Sequence, residues 1–81
     1  MKRITVLLAD DHAIVRNGLR LLLEAEGNFE VVGEAANGLQ AVELASELHP
    51  DVVVLDLAMP RLNGLEAARR ILQQVELIHK N

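Results

Sequence analysis

Apolar and polar positions along this chain follow two different rhythms. Residues 4–10, ITVLLAD, are β-branched and almost wholly apolar up to the acid pair Asp10-Asp11, as in a short strand covered on both faces. The period then changes. Val15, Leu19, Leu22 and Leu23 stand at i, i+4, i+7 and i+8, which predicts one helical face. Asn17-Gly18 would mark a hairpin elsewhere. The periodicity runs through it, so the stretch reads as a helix carrying a glycine that costs about 1 kcal/mol relative to alanine. Gly27 is placed to end that helix. FEVVGEA, residues 29–35, predicts a second strand, and Asn37-Gly38 a turn. Leu39, Val42, Ala45 and Leu48 predict a second helix, closed by Pro50. DVVVLDL, residues 51–57, predicts a third strand. Leu65, Ala68, Ile71, Leu72, Val75 and Ile78 form a last helical stripe with no Gly or Pro in its way. That helix is expected to reach about His79 rather than turn into a further strand at 76–80.

Apolar strands alternating with amphipathic helices in the order β-α-β-α-β-α give an α/β fold with a parallel sheet and right-handed crossovers. In such sheets ligands sit beyond the carboxyl ends of the strands. The first strand ends in Asp10 and Asp11, the third in Asp56, and the second in Glu34-Ala35-Ala36, which carries less chemistry. Asp10 or Asp11 taken singly reads as a helix N-cap, and Asp56 taken singly decides nothing. If the first and third strands are neighbours, the three carboxylates meet. Their charges then raise one another's pKa values or require a cation. A hard divalent ion such as Mg²⁺ suits three carboxylates and would also draw in a phosphoryl group. An aspartate can attack such a group to give an acyl phosphate. Pro60 and Gly64 read as punctuation of the exit loop, with Gly64 supplying a conformation that other residues resist just before the helix. His12 reads as structural or solvated, His49 as a helix-end cation, and the three histidines show no metal-ligand spacing.

Composition narrows the classes. Phe29 is the only aromatic residue, so stacking platforms for single-stranded nucleic acid are missing and the core must be aliphatic. The net charge of −4, with scattered Lys and Arg, argues against a nucleic-acid surface on this chain. The chain has no cysteine, hence no thiolate chemistry. Apolar runs fall far short of the roughly 20 residues of a membrane span. The start MKR leads directly into a strand without a signal-peptide core. A cytoplasmic setting is the default, and 81 residues allow one domain at most.

The segments LLADDHAIVRNGLRLLLE (7–24) and VVVLDLAMPRLNGLEAAR (52–69) resemble the receiver domain of bacterial two-component response regulators. The acid pair, the strand-end Asp56 and the spacing D-x-x-M-P-x-x-N-G carry the likeness, which covers residues 4 to about 74. The form DDHAIVRNGL is similar to the subfamily that joins a receiver to a C-terminal helix-turn-helix DNA-binding domain. The resemblance implies a flavodoxin-like, doubly wound parallel sheet. Here it extends only through the third β-α unit, with strand order 2-1-3. Residues 1–81 would be a partial receiver domain without the DNA-binding domain. The resemblance also implies that Asp56 is the phosphoacceptor. Asp10 and Asp11 would hold Mg²⁺ with Asp56, directly or through water, and the backbone carbonyl of Ala58 would be a further ligand. The donor would be a phosphohistidine on a sensor histidine kinase. Met59, Pro60 and Gly64 would shape the loop. Such a module is a switch rather than an enzyme. It would control transcription through the DNA-binding domain of a full-length regulator.

The family's fold has five strands, with a hydroxyl residue on the fourth and a lysine on the fifth that complete its site. Thr5, Ser46, Lys2 and Lys80 are all placed wrongly to replace them, so phosphotransfer by this chain alone is expected to be poor. In the family the third strand pairs with a fourth. Val52 to Leu55 are therefore expected to form an apolar edge that pairs with another chain. The result would be a two-fold dimer, either through antiparallel third strands in the order 2-1-3-3′-1′-2′ or through the bare sheet faces. A non-catalytic, self-associating fragment is the alternative function. A phosphatase of the D-x-D type would need an acid at position 58, where Ala58 stands.

Overall fold

The first strand in sequence is the middle strand in space. A computed structural model describes residues 2–56, 59 and 63–79, with side chains as far as residue 72. The elements are β1 (Ile4–Ala9), α1 (Ala13–Ala25), β2 (Phe29–Ala35), α2 (Gly38–Leu48), β3 (Val52–Leu55) and α3 (Gly64–His79). The three strands form one sheet in the order β2-β1-β3. Both pairings are parallel, so each connection must cross over through a helix. Ala9 lies beside Ala35 on one flank and beside Leu55 on the other, which aligns the carboxyl ends of all three strands. The third helix reaches His79, as its uninterrupted stripe predicts.

Central position explains the composition of β1. Val6, Leu7, Leu8 and Ala9 are all buried, because helices cover both faces of the strand. Leu7 and Ala9 pack in one core with Ala35, with Ala41 and Ala45 of α2, and with Met59 and Ile71. Side chains alternate along a strand, so Val6 and Leu8 face the other way, toward α1. There Leu8, Leu19 and Val54 line an open apolar groove of about 240 Å³.

The helices seat themselves on part of each apolar stripe, including Leu19, Leu23, Ala45 and Ile71, together with small residues that the stripes leave out. Within α2 the buried positions are Gly38, Ala41 and Ala45, whereas Leu39 and Leu48 lie exposed on the flanks. Among the described side chains of α3, Ala67 and Ile71 are the buried apolar positions, and Leu65 and Leu72 are more than half exposed. Small side chains bring α2 close to the sheet and to α3, and bulky neighbours splay to the sides. In α1 no residue is fully buried. Its partly covered positions include Arg16, Leu19, Arg20 and Leu23, at i, i+3, i+4 and i+7, whereas Val15 and Leu22 are exposed.

The turn expected at Asn37-Gly38 and the loop glycine expected at Gly64 are both helix starts. Asn37 caps α2 by accepting the Gln40 backbone N–H at 2.9 Å, and the Gln40 side chain accepts the Ala36 N–H at 2.8 Å. Asn63 caps α3 in the same way, accepting the Glu66 N–H at 2.9 Å. Gly64 is thus the first helical residue, buried, and not a left-handed loop residue before the helix. Among the described residues positive φ occurs at Gly27 (79°), which follows the α1 C-cap, and at His49 (49°), the α2 C-cap. Gly33 lies at a register break between β1 and β2. A Cβ there would come within 2.7 Å of Leu48 Cδ1 and 3.2 Å of Leu7 Cδ1, so glycine lets α2 approach the sheet.

Candidate functional site

The strand order decides where the acids go. Asp10 follows β1 and Asp56 follows β3, and these strands are neighbours. The ladder extends one step past the strand ends. Asp10 N–H donates to Ala35 O at 3.0 Å, and Asp56 N–H donates to Ala9 O at 2.9 Å. The carboxylates of Asp10, Asp11 and Asp56 therefore come together with the His12 ring. One ligand atom from each of the four lies within 4.8 Å of the others. Ala58 falls outside the described residues, as do Pro60 and Lys80. Met59 is buried in the core.

His12 plays a larger part here than its sequence position suggested. Its Nδ1 is 2.8 Å from Asp10 Oδ1, 3.1 Å from Asp11 Oδ1 and 4.0 Å from Asp56 Oδ2. The imidazole stands where its protonated form offsets the charge of three carboxylates. The hydrogen bond to Asp10, and then the charges of Asp11 and Asp10, raise the His12 pKa above its ordinary value. The expectation for the acids was either mutually raised pKa values or a cation between them. Asp10 instead sits below its ordinary value, chiefly because it accepts the His12 backbone N–H at 2.8 Å. The His12 side chain is 66% exposed, so it has room to swing away and leave three hard oxygen donors to a cation.

Glu34 and Arg16 were also underrated. Arg16 Nη1 donates to the Asp10 carbonyl at 2.7 Å, and its Nε donates to Glu34 Oε1 at 3.0 Å. Arg20 Nε lies 3.2 Å from Glu34 Oε2. The available signal was a basic residue on the first turn after an acid pair, one helical turn from His12. Thr5 is at the opposite end of the sheet, bonded to Asp51. Ser46 is exposed on α2, and Lys2 lies near Asp51, far from the acids.

A parallel sheet with a Ser/Thr-free acid cluster at its carboxyl edge narrows the choice, and comparison with known proteins decides it. The family model described as "Response regulator receiver domain" matches residues 6–79. This chain belongs to the response regulator receiver family. The receiver is 52% identical over 66 residues to the transcriptional regulatory protein YdfI of Bacillus subtilis, covering 82% of this chain and 31% of YdfI. Among solved structures it is similar to the response regulator domain of Thermotoga maritima CheB, with a TM-score of 0.87, 44% identity, and coverage of 89% of this chain and 54% of the other. It is also similar to the signal receiver domain of NarL from Mycobacterium tuberculosis. There the TM-score is 0.88 and the identity 35%, over 93% of this chain and 60% of that one. The receiver's flavodoxin-like fold, with its strand order of 2-1-3, agrees with these structures. It spans about a third of the length of the curated relatives it matches. Among the described residues no helix is long and apolar enough to cross a membrane.

Proposed function

We propose that this chain is the receiver module of a two-component phosphorelay, with Asp56 accepting a phosphoryl group from the phosphohistidine of a sensor kinase in the cytoplasm. The convergence of Asp10, Asp11 and Asp56 at the ends of adjacent strands carries this reading. A carboxylate oxygen of Asp56 attacks phosphorus, a P–O bond forms, and the P–N bond to the kinase histidine breaks, returning its electron pair to the imidazole. Asp10, Asp11 and Asp56 fit Mg²⁺ because all three offer hard oxygen donors within one ion's reach. The backbone carbonyl of Ala58 is assigned to the same ion. Bound there, Mg²⁺ would offset the carboxylate charge and that of the incoming phosphoryl group. Asp10 and Asp11 keep the site anionic and oriented, and His12 moves aside. The module acts as a switch, and transcriptional output would pass through the DNA-binding domain of a longer regulator rather than through a nucleic-acid surface on this chain.

Incubation with a small acyl-phosphate donor and Mg²⁺ tests this. A slow, hydroxylamine-labile adduct is expected at Asp56, absent without Mg²⁺ and absent in Asp56→Asn. An adduct that survives Asp56→Asn would reject the assignment. A second reading, a self-associating module, is favoured by β3. Among the described strands β3 pairs with β1 alone, and Val52 and Val54 are 42% and 40% exposed. That edge, or the groove beside it, suits a two-fold homodimer.

A further inference from the structure

The polar side chains that α1 turns toward the end of the sheet have no role in the site as described so far. Arg16 is only 18% exposed, and the fork of its guanidinium is used in two directions. Nη1 meets the Asp10 carbonyl, and Nε meets a Glu34 carboxylate that Arg20 holds from its other oxygen. Asp10 is where the backbone leaves the sheet. Its N–H still belongs to the ladder through Ala35, whereas its C=O has passed the last ladder position and is held by Arg16. The peptide unit that this carbonyl shares with Asp11 lies between the two acids. Holding it restricts the directions in which the two side chains leave the backbone, and so the range of spacings open to their carboxylates.

We propose that Arg16 is a positioning residue: aimed by Glu34, it clamps the Asp10 carbonyl and thereby sets the spacing of the carboxylates toward a Mg²⁺-sized ion. The inference rests on the metal site proposed above and adds a selectivity mechanism to it. Mg²⁺ requires near-octahedral oxygens at about 2.0–2.1 Å, whereas Ca²⁺ accepts looser shells at about 2.3–2.6 Å. Loosening the Asp10-Asp11 peptide therefore costs Mg²⁺ more than Ca²⁺. Both ions are divalent, so a change of charge near the site acts on both alike and cancels in the ratio of their affinities. A loss of overall stability in a chain that remains folded cancels in the same way. Lysine keeps the charge of Arg16 but has one point-like ammonium, which cannot serve Glu34 and the carbonyl together in the geometry of a fork.

The experiment is a calorimetric titration of the 81-residue chain with Mg²⁺ and with Ca²⁺, for wild type, Arg16→Gln, Arg16→Lys, Glu34→Gln and Arg70→Gln. Arg70 pairs with Glu66 on α3 and serves as the charge control. The preference for Mg²⁺ over Ca²⁺ should fall by about tenfold in both Arg16 variants, fall by about threefold in Glu34→Gln and stay unchanged in Arg70→Gln. If circular dichroism shows Arg16→Gln unfolded, Arg16→Lys and Glu34→Gln give the same reading. An unchanged ratio in the folded Arg16 variants would overturn the clamp while leaving the metal site standing. Failure of the site itself looks different. Wild type would bind neither ion, or Asp11→Ala would bind Mg²⁺ as wild type does, and the clamp would fall with it.

Discussion

Asp51 joins two strands that lie far apart in sequence. Its Oδ2 accepts both the backbone N–H of Thr5, at 2.9 Å, and the Thr5 hydroxyl, at 3.0 Å. Its own N–H points back at Thr5, 2.9 Å from Oγ1 and 3.0 Å from the carbonyl oxygen. The Thr5 N–H, followed by the hydroxyl, holds the Asp51 carboxyl below its ordinary value. A depressed folded-state pKa contributes stability that is present above the unfolded value of about 3.9 and is lost as pH falls through the folded value. Thermal midpoints measured from pH 6 downward should therefore drop on the acid side. Asp51→Asn should flatten part of that drop, and identical pH curves for the two chains would count against the latch. Gly33 makes a second prediction at this scale. Ala would press on Leu7, which cannot move, and on Leu48, whose end can rotate into solvent. Gly33→Ala should cost about 1 kcal/mol and Gly33→Val several times that, read as shifts of the denaturant midpoint.

Helix placement depends on the smallest side chains. Gly38, Ala41 and Ala45 of α2 are buried, so the contact surface of that helix is nearly smooth, and α3 buries Gly64 and Ala67 beside the single bulky Ile71 among its described side chains. The α2 helix ends with His49 at φ 49°, a conformation that L-residues hold at a cost. His49→Gly should raise stability by about 1 kcal/mol in chemical denaturation, and a loss instead would show the imidazole to be needed there. These elements also show where sequence was a sufficient guide. The number and order of elements followed from periodicity, because each strand and helix differs from its neighbours in period. The three strand-end acids were visible because acids interrupt apolar runs only where a strand leaves the core. The buried helix faces were read in part: Ala45 and Ile71 were in the predicted stripes and are buried, whereas leucines such as Leu39, Leu48, Leu65 and Leu72 were overrated because close helix–sheet packing selects small residues such as Gly38, Ala41 and Ala67. Asn37 looked like a turn residue since the same side chain serves turns and caps. His12 and Arg16 meet Asp10 over two and six positions of the chain, a local signal that was passed over, whereas the part played by Glu34 depends on the pairing of β1 with β2 and has no local signature.

At the scale of the molecule, apolar surface is unevenly covered. The face shared with α2 and α3 is closed, whereas Ile14 is 89% exposed, and Val15, Leu22, Val52 and Val54 are also exposed. If β3 or the groove beside it joins two copies, sedimentation should show concentration-dependent association that Val54→Lys abolishes while leaving Mg²⁺ binding intact. A wild-type chain that sediments as a monomer throughout the micromolar range would reject the dimer. The central place of β1 also matters at the moment of synthesis. Val6, Leu7 and Leu8 are made before either of their neighbouring strands, and the second neighbour is incomplete until Leu55 has been added. At about 5–20 residues per second the ribosome needs several seconds to get there. For that interval the most deeply buried segment of the finished protein is its most exposed, and a nascent chain halted before β3 would be a natural client for chaperones.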